Sequence, residues 1–312
     1  MIKHRKIYYT ASIILVGLSI LATAVFGLNL GIDFNGGTIV EVDFKESRPS
    51  HDEVRDKLSG LNLGEIVIQD VDDSGMILRF SSGTVQISEE NSTSTEGEAS
   101  IDDAKHAEIL TKLKELGDLE EQRFDSIGPV IGEETKEKSL WAMLLVVVMI
   151  LVYIAWAFKG VSYPVKSWKY GVIAVVALFH DIAITVGVFA VLGHIFGIEI
   201  GAPFIAALLT TLGYSVNDTI VVFDRIRENV LKGGSRFNFE DIINKSVSET
   251  YVRSLNTALT TLFVLVAVFL FGGATLQYFV LALMIGVVAG TYSSIFIAGP
   301  LLFSWSMLKL KK

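Results

Sequence analysis

Six apolar runs divide the chain, at about 7–28, 140–158, 170–192, 203–223, 255–271 and 278–307. Each is long enough, at ~1.5 Å of rise per residue, to cross a hydrocarbon core of ~30 Å as a helix. The pattern predicts an α-helical membrane protein with six transmembrane helices. Between the first and second runs the periodicity changes. GGTIVEVDF at 36–44 alternates apolar and polar positions as a half-buried strand does. SHDEVRDKLSGL at 50–61 reads as a helix, with Ser50 as N-cap and Glu53 completing a capping box. EIVIQDV at 65–71 and GMILRFS at 75–81 read as strands joined by a DDSG turn.

The tract SEENSTSTEGEAS at 88–100 has almost nothing to bury and is expected to be a mobile loop. DDAKHAEILTKLKEL at 102–116 is predicted as a second helix, with Ala104, Ala107, Leu110 and Leu113 at helical spacing. LEEQRFDSI at 119–127 supplies a fourth strand. The order β-α-β-β-α-β describes a ferredoxin-like α+β domain, an architecture that hosts many functions and names none. The chain is thus expected to comprise an N-terminal span at 1–28, an exterior ferredoxin-like domain at 29–139 and a five-helix membrane domain at 140–312. A cytoplasmic loop is expected at 225–252, within which 238–249 reads as an amphipathic surface helix or an ordinary connecting helix.

Charge orients these pieces, because basic residues next to short loops stay cytoplasmic. Lys3, Arg5 and Lys6 precede span one, Lys159, Lys166 and Lys169 lie between spans two and three, and Lys309, Lys311 and Lys312 close the chain. Arg225, Arg227, Lys232, Arg236, Lys245 and Arg253 fall between spans four and five, whereas 194–201 and 272–277 hold no Lys or Arg. Both termini are expected inside, with 29–139 outside. That domain carries 26 Asp/Glu against 11 Lys/Arg in a chain of net charge −8, an acidic balance that argues against nucleic acid as a partner. With no cysteine there is no disulfide or thiolate metal site. KHRK, an apolar run and ATA at 22–24 imitate a signal peptide, but the run exceeds a signal core and is expected to remain as an anchor.

Polar residues inside the spans are the candidate chemistry, since lipid does not tolerate them uncompensated. On span four, Thr211, Tyr214, Asp218 and Arg225 recur at helical intervals and form one stripe that must face protein or water. Span five offers Arg253, with Thr257 and Thr261 continuing its face. A nearby arginine favours an ionised Asp218 and burial favours the protonated one, so access to water from alternate sides would switch it, which is the logic of a proton relay. Asp181 and His180 on span three are second-rank candidates, and interhelical hydrogen bonding is the rival role for all of them. Asn217 points about 100° away from Asp218 and suits a helix contact. Gly36 and Gly37 suit a tight turn into the first strand or a hinge, with Asp33 capping it. Gly286 and Gly290 form a GxxxG pair suited to close helix packing. No Ser/His/Asp set, metal cluster or nucleotide loop is present, so neither enzymatic activity nor a cofactor is expected.

GIDFNGGT at 31–38, FHDIAITVG at 179–187, GYSVNDTIVVFDRIREN at 213–229 and RSLNTALTTL at 253–262 together resemble the SecF family of bacterial protein export. The resemblance covers essentially the whole chain. It departs at Asn35, where the family usually has Thr, and at the 88–100 tract. It implies residence in the cytoplasmic (inner) membrane and pairing with a SecD-like subunit. It also implies work beside the SecYEG channel and SecA on a translocating unfolded polypeptide, driven by the proton motive force in the manner of the wider RND-type superfamily. The alternatives are an intramembrane aspartyl protease, disfavoured because the aspartates sit in HD and ND and no GxGD occurs, and a docking subunit without ion coupling.

Overall fold

The computed structural model describes residues 2–61, 63–64, 66–71, 73–80, 103–159, 165–233 and 238–310, so the expected loop at 88–100 lies outside the described residues. The chain forms two compact units, Leu30–Ser139 and, jointly, Met1–Asn29 with Leu140–Lys312.

In the first unit a one-turn helix α2 (Ile32–Asn35) leads into strand β1 (Gly37–Phe44). Helix α3 (His51–Leu58), the hairpin β2 (Ile66–Val71) and β3 (Gly75–Phe80), helix α4 (Asp103–Lys114) and strand β4 (Leu119–Ile127) come next along the chain. The sheet order is β2-β3-β1-β4 with every pairing antiparallel, the order of a ferredoxin-like split βαβ domain. Alternation fixes the faces: Val40, Val42 and Phe44 on β1 and Met76, Leu78 and Phe80 on β3 turn inward against Val54, Leu58, Ile109 and Leu113. The Ser50–Glu53 capping box forms as expected.

One expectation in this unit shifts, and the glycine turn gains a second reason. The buried face of α4 carries Ile109 and Leu113, with Leu110 packed beside them, while Ala104 and Ala107 are exposed, because larger side chains one position away fill the core better. His106 joins that face, its Nε2 2.7 Å from Glu121 and its ring stacked on Phe124. The glycines at 36–37 answer a packing demand. Gly36 and Gly37 hold φ values of 71° and 135°, and a Cβ on Gly36 would meet Pro129 at 2.8 Å. One on Gly132 would meet the Gly36 amide at 2.9 Å, so the two glycine-bearing segments approach through each other's missing side chains. Asp33 occupies the first turn of α2, where negative charge is favourable.

Among the described residues six helices are long and apolar enough to cross a membrane, as the hydropathy predicts. They are α1 (Arg5–Phe26, preceded by a short 3₁₀ turn), α5 (Pro129–Ala157), α6 (Ser167–Phe196), α7 (Ala202–Gly233), α8 (Phe239–Phe271), and a last span built of α9 (Ala274–Ser293), a π-helix (Ser294–Ala298) and α10 (Gly299–Leu310). The segment 225–252, expected as a loop, is mostly helix, because its charges pair along and between helices. Arg225 pairs with Glu228 and reaches Glu249 at 2.7 Å, Lys232 pairs with Glu228, and Asn229 donates to Ser246 and Glu249 at 2.9 and 2.8 Å. Residues 238–249 accordingly open α8 itself, with Asn238 as N-cap and Ile242 and Val247 buried.

Close approach of the last span to α7 rests on its glycines. A Cβ on Gly286 would lie 2.4 Å from Thr211, and one on Gly290 would lie 2.8 Å from Ser215. Gly286→Leu should therefore force these helices apart at a cost of ~1–3 kcal/mol, read as a lower thermal midpoint and yield of the detergent-extracted protein. In the first unit the Asp70 carboxylate is held below its usual range by the hydrogen bond from His51, 2.7 Å away, and by Arg48. The stabilisation from this lowering is complete above the ordinary carboxylate pKa and is lost as pH falls through the lowered value. Carboxyl NMR titration should find the depressed midpoint of Asp70 returning towards normal in His51→Ala.

Candidate functional site

Four spans, α6, α7, α8 and the last, deliver carboxyl and hydroxyl groups to the interior of the membrane unit. Asp181 on α6 is only 1% exposed and fully engaged. Its Oδ1 lies 2.9 Å from His180 Nδ1, while Ser215 of α7 and Ser293 of the last span donate to its Oδ2 at 2.5 and 2.9 Å. His180 stacks against Tyr292, ring centroids 5.9 Å apart, and its Nε2 is buried without a hydrogen-bond partner.

Asp218, one turn beyond Ser215 on α7, is met differently. Ser254 of α8 donates to its Oδ1 at 2.5 Å, and its Oδ2 is buried without a hydrogen-bond partner. Ser294 stands beside the carboxyl, and its hydroxyl lies 2.9 Å from that of the neighbouring Thr219. A half-satisfied carboxyl inside a bundle is expensive when ionised and tolerable when protonated. One half of this group is anchored, and the other is free to change state.

The remaining sequence candidates divide by face. Thr211 is buried and Tyr214 and Arg225 are half-buried, so the stripe of span four faces protein. Tyr214 stands beside Thr261 and Thr291. Arg253 lies close enough for its charge to act on Asp218, yet it is exposed and makes no ion pair among the described residues. Its neighbour Ser254 holds the carboxyl instead. Asn217 and Thr257 are also exposed, and Thr257 donates to the Arg253 carbonyl at 3.0 Å. With Gly213 on α7 and Asn256 and Thr260 on α8, they form polar and small stripes on the outer faces of two adjacent spans. Exposed positions in the middle of α1 and α5 are by contrast mostly large and apolar, among them Ile13, Leu18, Val25, Leu144, Met149 and Trp156.

The serines are the part of the site that the sequence does not announce. Ser215, Ser254, Ser293 and Ser294 are small and common in membrane helices, and although Ser215 precedes Asp218 and Ser254 precedes Thr257 by three residues, nothing at those positions marks them as donors to a carboxyl. The SS pair in the apolar run TYSSIF is the one readable signal. Among the described residues no group of three or more His, Asp or Glu side chains is arranged to hold a metal.

Residues 106–308 match the family described as protein export membrane protein SecD/SecF, C-terminal, and residues 21–47 match the SecD/SecF GG motif. The protein translocase subunit SecF of Thermobaculum terrenum is 43% identical over 97% of this chain and 93% of its own length. That of Sebaldella termitidis is 39% identical over 97% and 90%. The crystal structure of SecDF, a translocon-associated membrane protein from Thermus thermophilus, superposes with a TM-score of 0.79 at 29% identity. It matches 97% of this chain, which spans only 38% of that longer chain.

Ser254→Ala removes the one direct donor to Asp218 Oδ1. It should destabilise the membrane unit by ~1–3 kcal/mol, measurable as a lower midpoint in thermal unfolding in detergent, while Thr257→Ala, on the exposed stripe, should leave that midpoint within error.

Proposed function

The chain belongs to the SecD/SecF family of protein export membrane proteins, and from that premise we propose that it works as a SecF subunit coupling the proton motive force to export. In this reading it pairs with a SecD-like subunit and acts after SecYEG and SecA have begun translocation. Both termini lie in the cytoplasm of a bacterial cytoplasmic membrane, and the ferredoxin-like domain faces the side to which the unfolded polypeptide emerges. The orientation is supported by the basic clusters at the proposed inner ends of the spans.

The observation that carries the reading is Asp218: a buried membrane carboxyl with one oxygen fixed by Ser254 and the other without a partner. Protonation removes the cost of the unpartnered oxygen, and deprotonation restores it. The protein is therefore biased between conformations that differ in access to Oδ2. Arg253, close by and without an ion pair among the described residues, supplies a charge that favours the ionised state whenever movement brings it nearer. Partnership with SecD draws its support from the exposed stripes of α7 and α8. Asn217, Arg253, Asn256 and Thr260 at mid-helix are costly against lipid, and a second membrane subunit would cover them. A protease dyad requires two carboxyls sharing a proton. Asp181 and Asp218 have no mutual hydrogen bond, and each is held by its own serines.

In inverted vesicles, after ATP-driven initiation, Asp218→Asn should insert and assemble normally yet export no faster with a proton gradient than without one. Arg253→Met should behave alike. Recovery of gradient-dependent export in the double variant would leave the pair a structural contact and sink the relay. Native-host extracts in mild detergent should yield the chain together with a SecD-like subunit. A lone monomer would refute the pairing, and Asn217→Leu with Thr260→Leu should weaken recovery of the partner.

A further inference from the structure

Asp181 is the most deeply buried carboxyl among the described residues, and the relay just described leaves it without a part. Resting on the reading of Asp218 as the proton-carrying group, we propose that Asp181 is a positioning residue of the same site. Its link to Asp218 runs through Ser293 and Ser294 at the entrance to the π-helix of the last span.

Two elements touch both carboxyls. On α7, Ser215 donates to Asp181 and lies one turn from Asp218. On the last span, Ser293 donates to Asp181, and the next residue, Ser294, stands beside Asp218 and Thr219. The two serines also share an acceptor: Ser294 Oγ donates to the Gly290 carbonyl at 2.7 Å, and Ser293 Oγ reaches the same oxygen at 3.1 Å.

A hydroxyl has one proton to donate, and two donors on one carbonyl oxygen weaken each other, so the two choices are interdependent. When Asp218 is ionised, its unpartnered Oδ2 competes for the proton of Ser294. If Ser294 turns to it, the Gly290 carbonyl is left to Ser293, which loosens from Asp181. When Asp218 is protonated the competition ends, Ser294 returns to Gly290, and Ser293 is held on Asp181. No covalent bond changes, since only hydroxyl rotors move.

The backbone is built to respond. The π-helix Ser294–Ala298 begins at the second serine, and a π segment carries an extra residue per turn that an α-helix expels. Reversion to α rotates the helix beyond this point by about 100°, one residue of helix rotation, giving an element with two discrete arrangements. Asp181 passes the change to α1 through its α6 neighbour His180, whose ring lies on Tyr292 of the last span, itself 3.5 Å from Ser12 of α1. The titratable and charged groups around the pair are His180 and Tyr292 beside Asp181, and Tyr214 and Arg253 beside Asp218.

The test is infrared difference spectroscopy on a pH step with the full complex in vesicles, the Asp218 carboxyl band being assigned by its loss in Asp218→Asn. Asp181→Asn should move the pH midpoint of that band by about one unit, the scale of coupled sites, and Ser293→Ala should move it in the same direction. In a Ser294→Ala background, Asp181→Asn should add no further shift. An unchanged midpoint in Asp181→Asn overturns the proposal, as does a shift that persists without Ser294, which would mean a field acting through space. If Asp181→Asn fails to accumulate, Ser293→Ala, which keeps the carboxyl, decides by the same criterion. Absence of any titrating Asp218 band overturns coupling and relay together. Gradient-dependent export retained in Asp218→Asn overturns the functional reading alone, and the midpoint comparison still decides the coupling.

Discussion

A carboxyl group inside a lipid-embedded bundle has to be met by donors from other helices, because the hydrocarbon offers none. Asp181 imposes that requirement on three spans at once. Its donors on α7 and on the last span are serines, the shortest hydroxyl side chains, so the helix backbones must come close enough for short arms to reach. Gly286 and Gly290 permit the approach by leaving room for Thr211 and Ser215. The polar centre and the glycine seam are thus one design, in which the hydrogen bonds set the spacing and the missing Cβ atoms make it attainable.

Asp218 lies at the edge of that centre and is held more loosely. The contrast between a carboxyl with donors on both oxygens and one with a single donor separates a group that fixes structure from a group that can change state. The outer faces of α7 and α8 continue the theme. Polar side chains that would be stranded in lipid suit the surface of a subunit whose enclosure is completed by another chain.

Much of this is legible in the residues. The ferredoxin-like sheet can be read because alternation and turn residues agree from Gly37 to Ile127, and the six spans because lipid demands long apolar runs. The fate of 225–252 is hidden, since charged residues imply a loop until pairs such as Arg225–Glu249 show how a helix projects beyond the membrane. Asp218 is visible as a costly charge. Its donor Ser254 is not, since the neighbouring Arg253 is the louder signal and rotation about α8 decides which of the two faces inward. The π-helix leaves no trace in composition, because its register depends on contacts distant in sequence.

The N-terminal helix α1 bears on the order of assembly during synthesis. Its main packing partner is α6, where Ser19 fits against Gly187, and it also reaches later elements: the Ile2 amide just before it donates to Asn244, and Tyr9 meets Ser304 at 3.0 Å. On the ribosome α1 precedes these neighbours and meets them only after the exterior domain and the later helices have emerged. It must wait in lipid alone, and its composition suits that wait, since no charged residue lies beyond Lys6 within the helix. Docking of α1 against the end of the last span completes its enclosure, so a chain stalled before Ser304 would leave α1 packed on α6 but without the Tyr9–Ser304 contact.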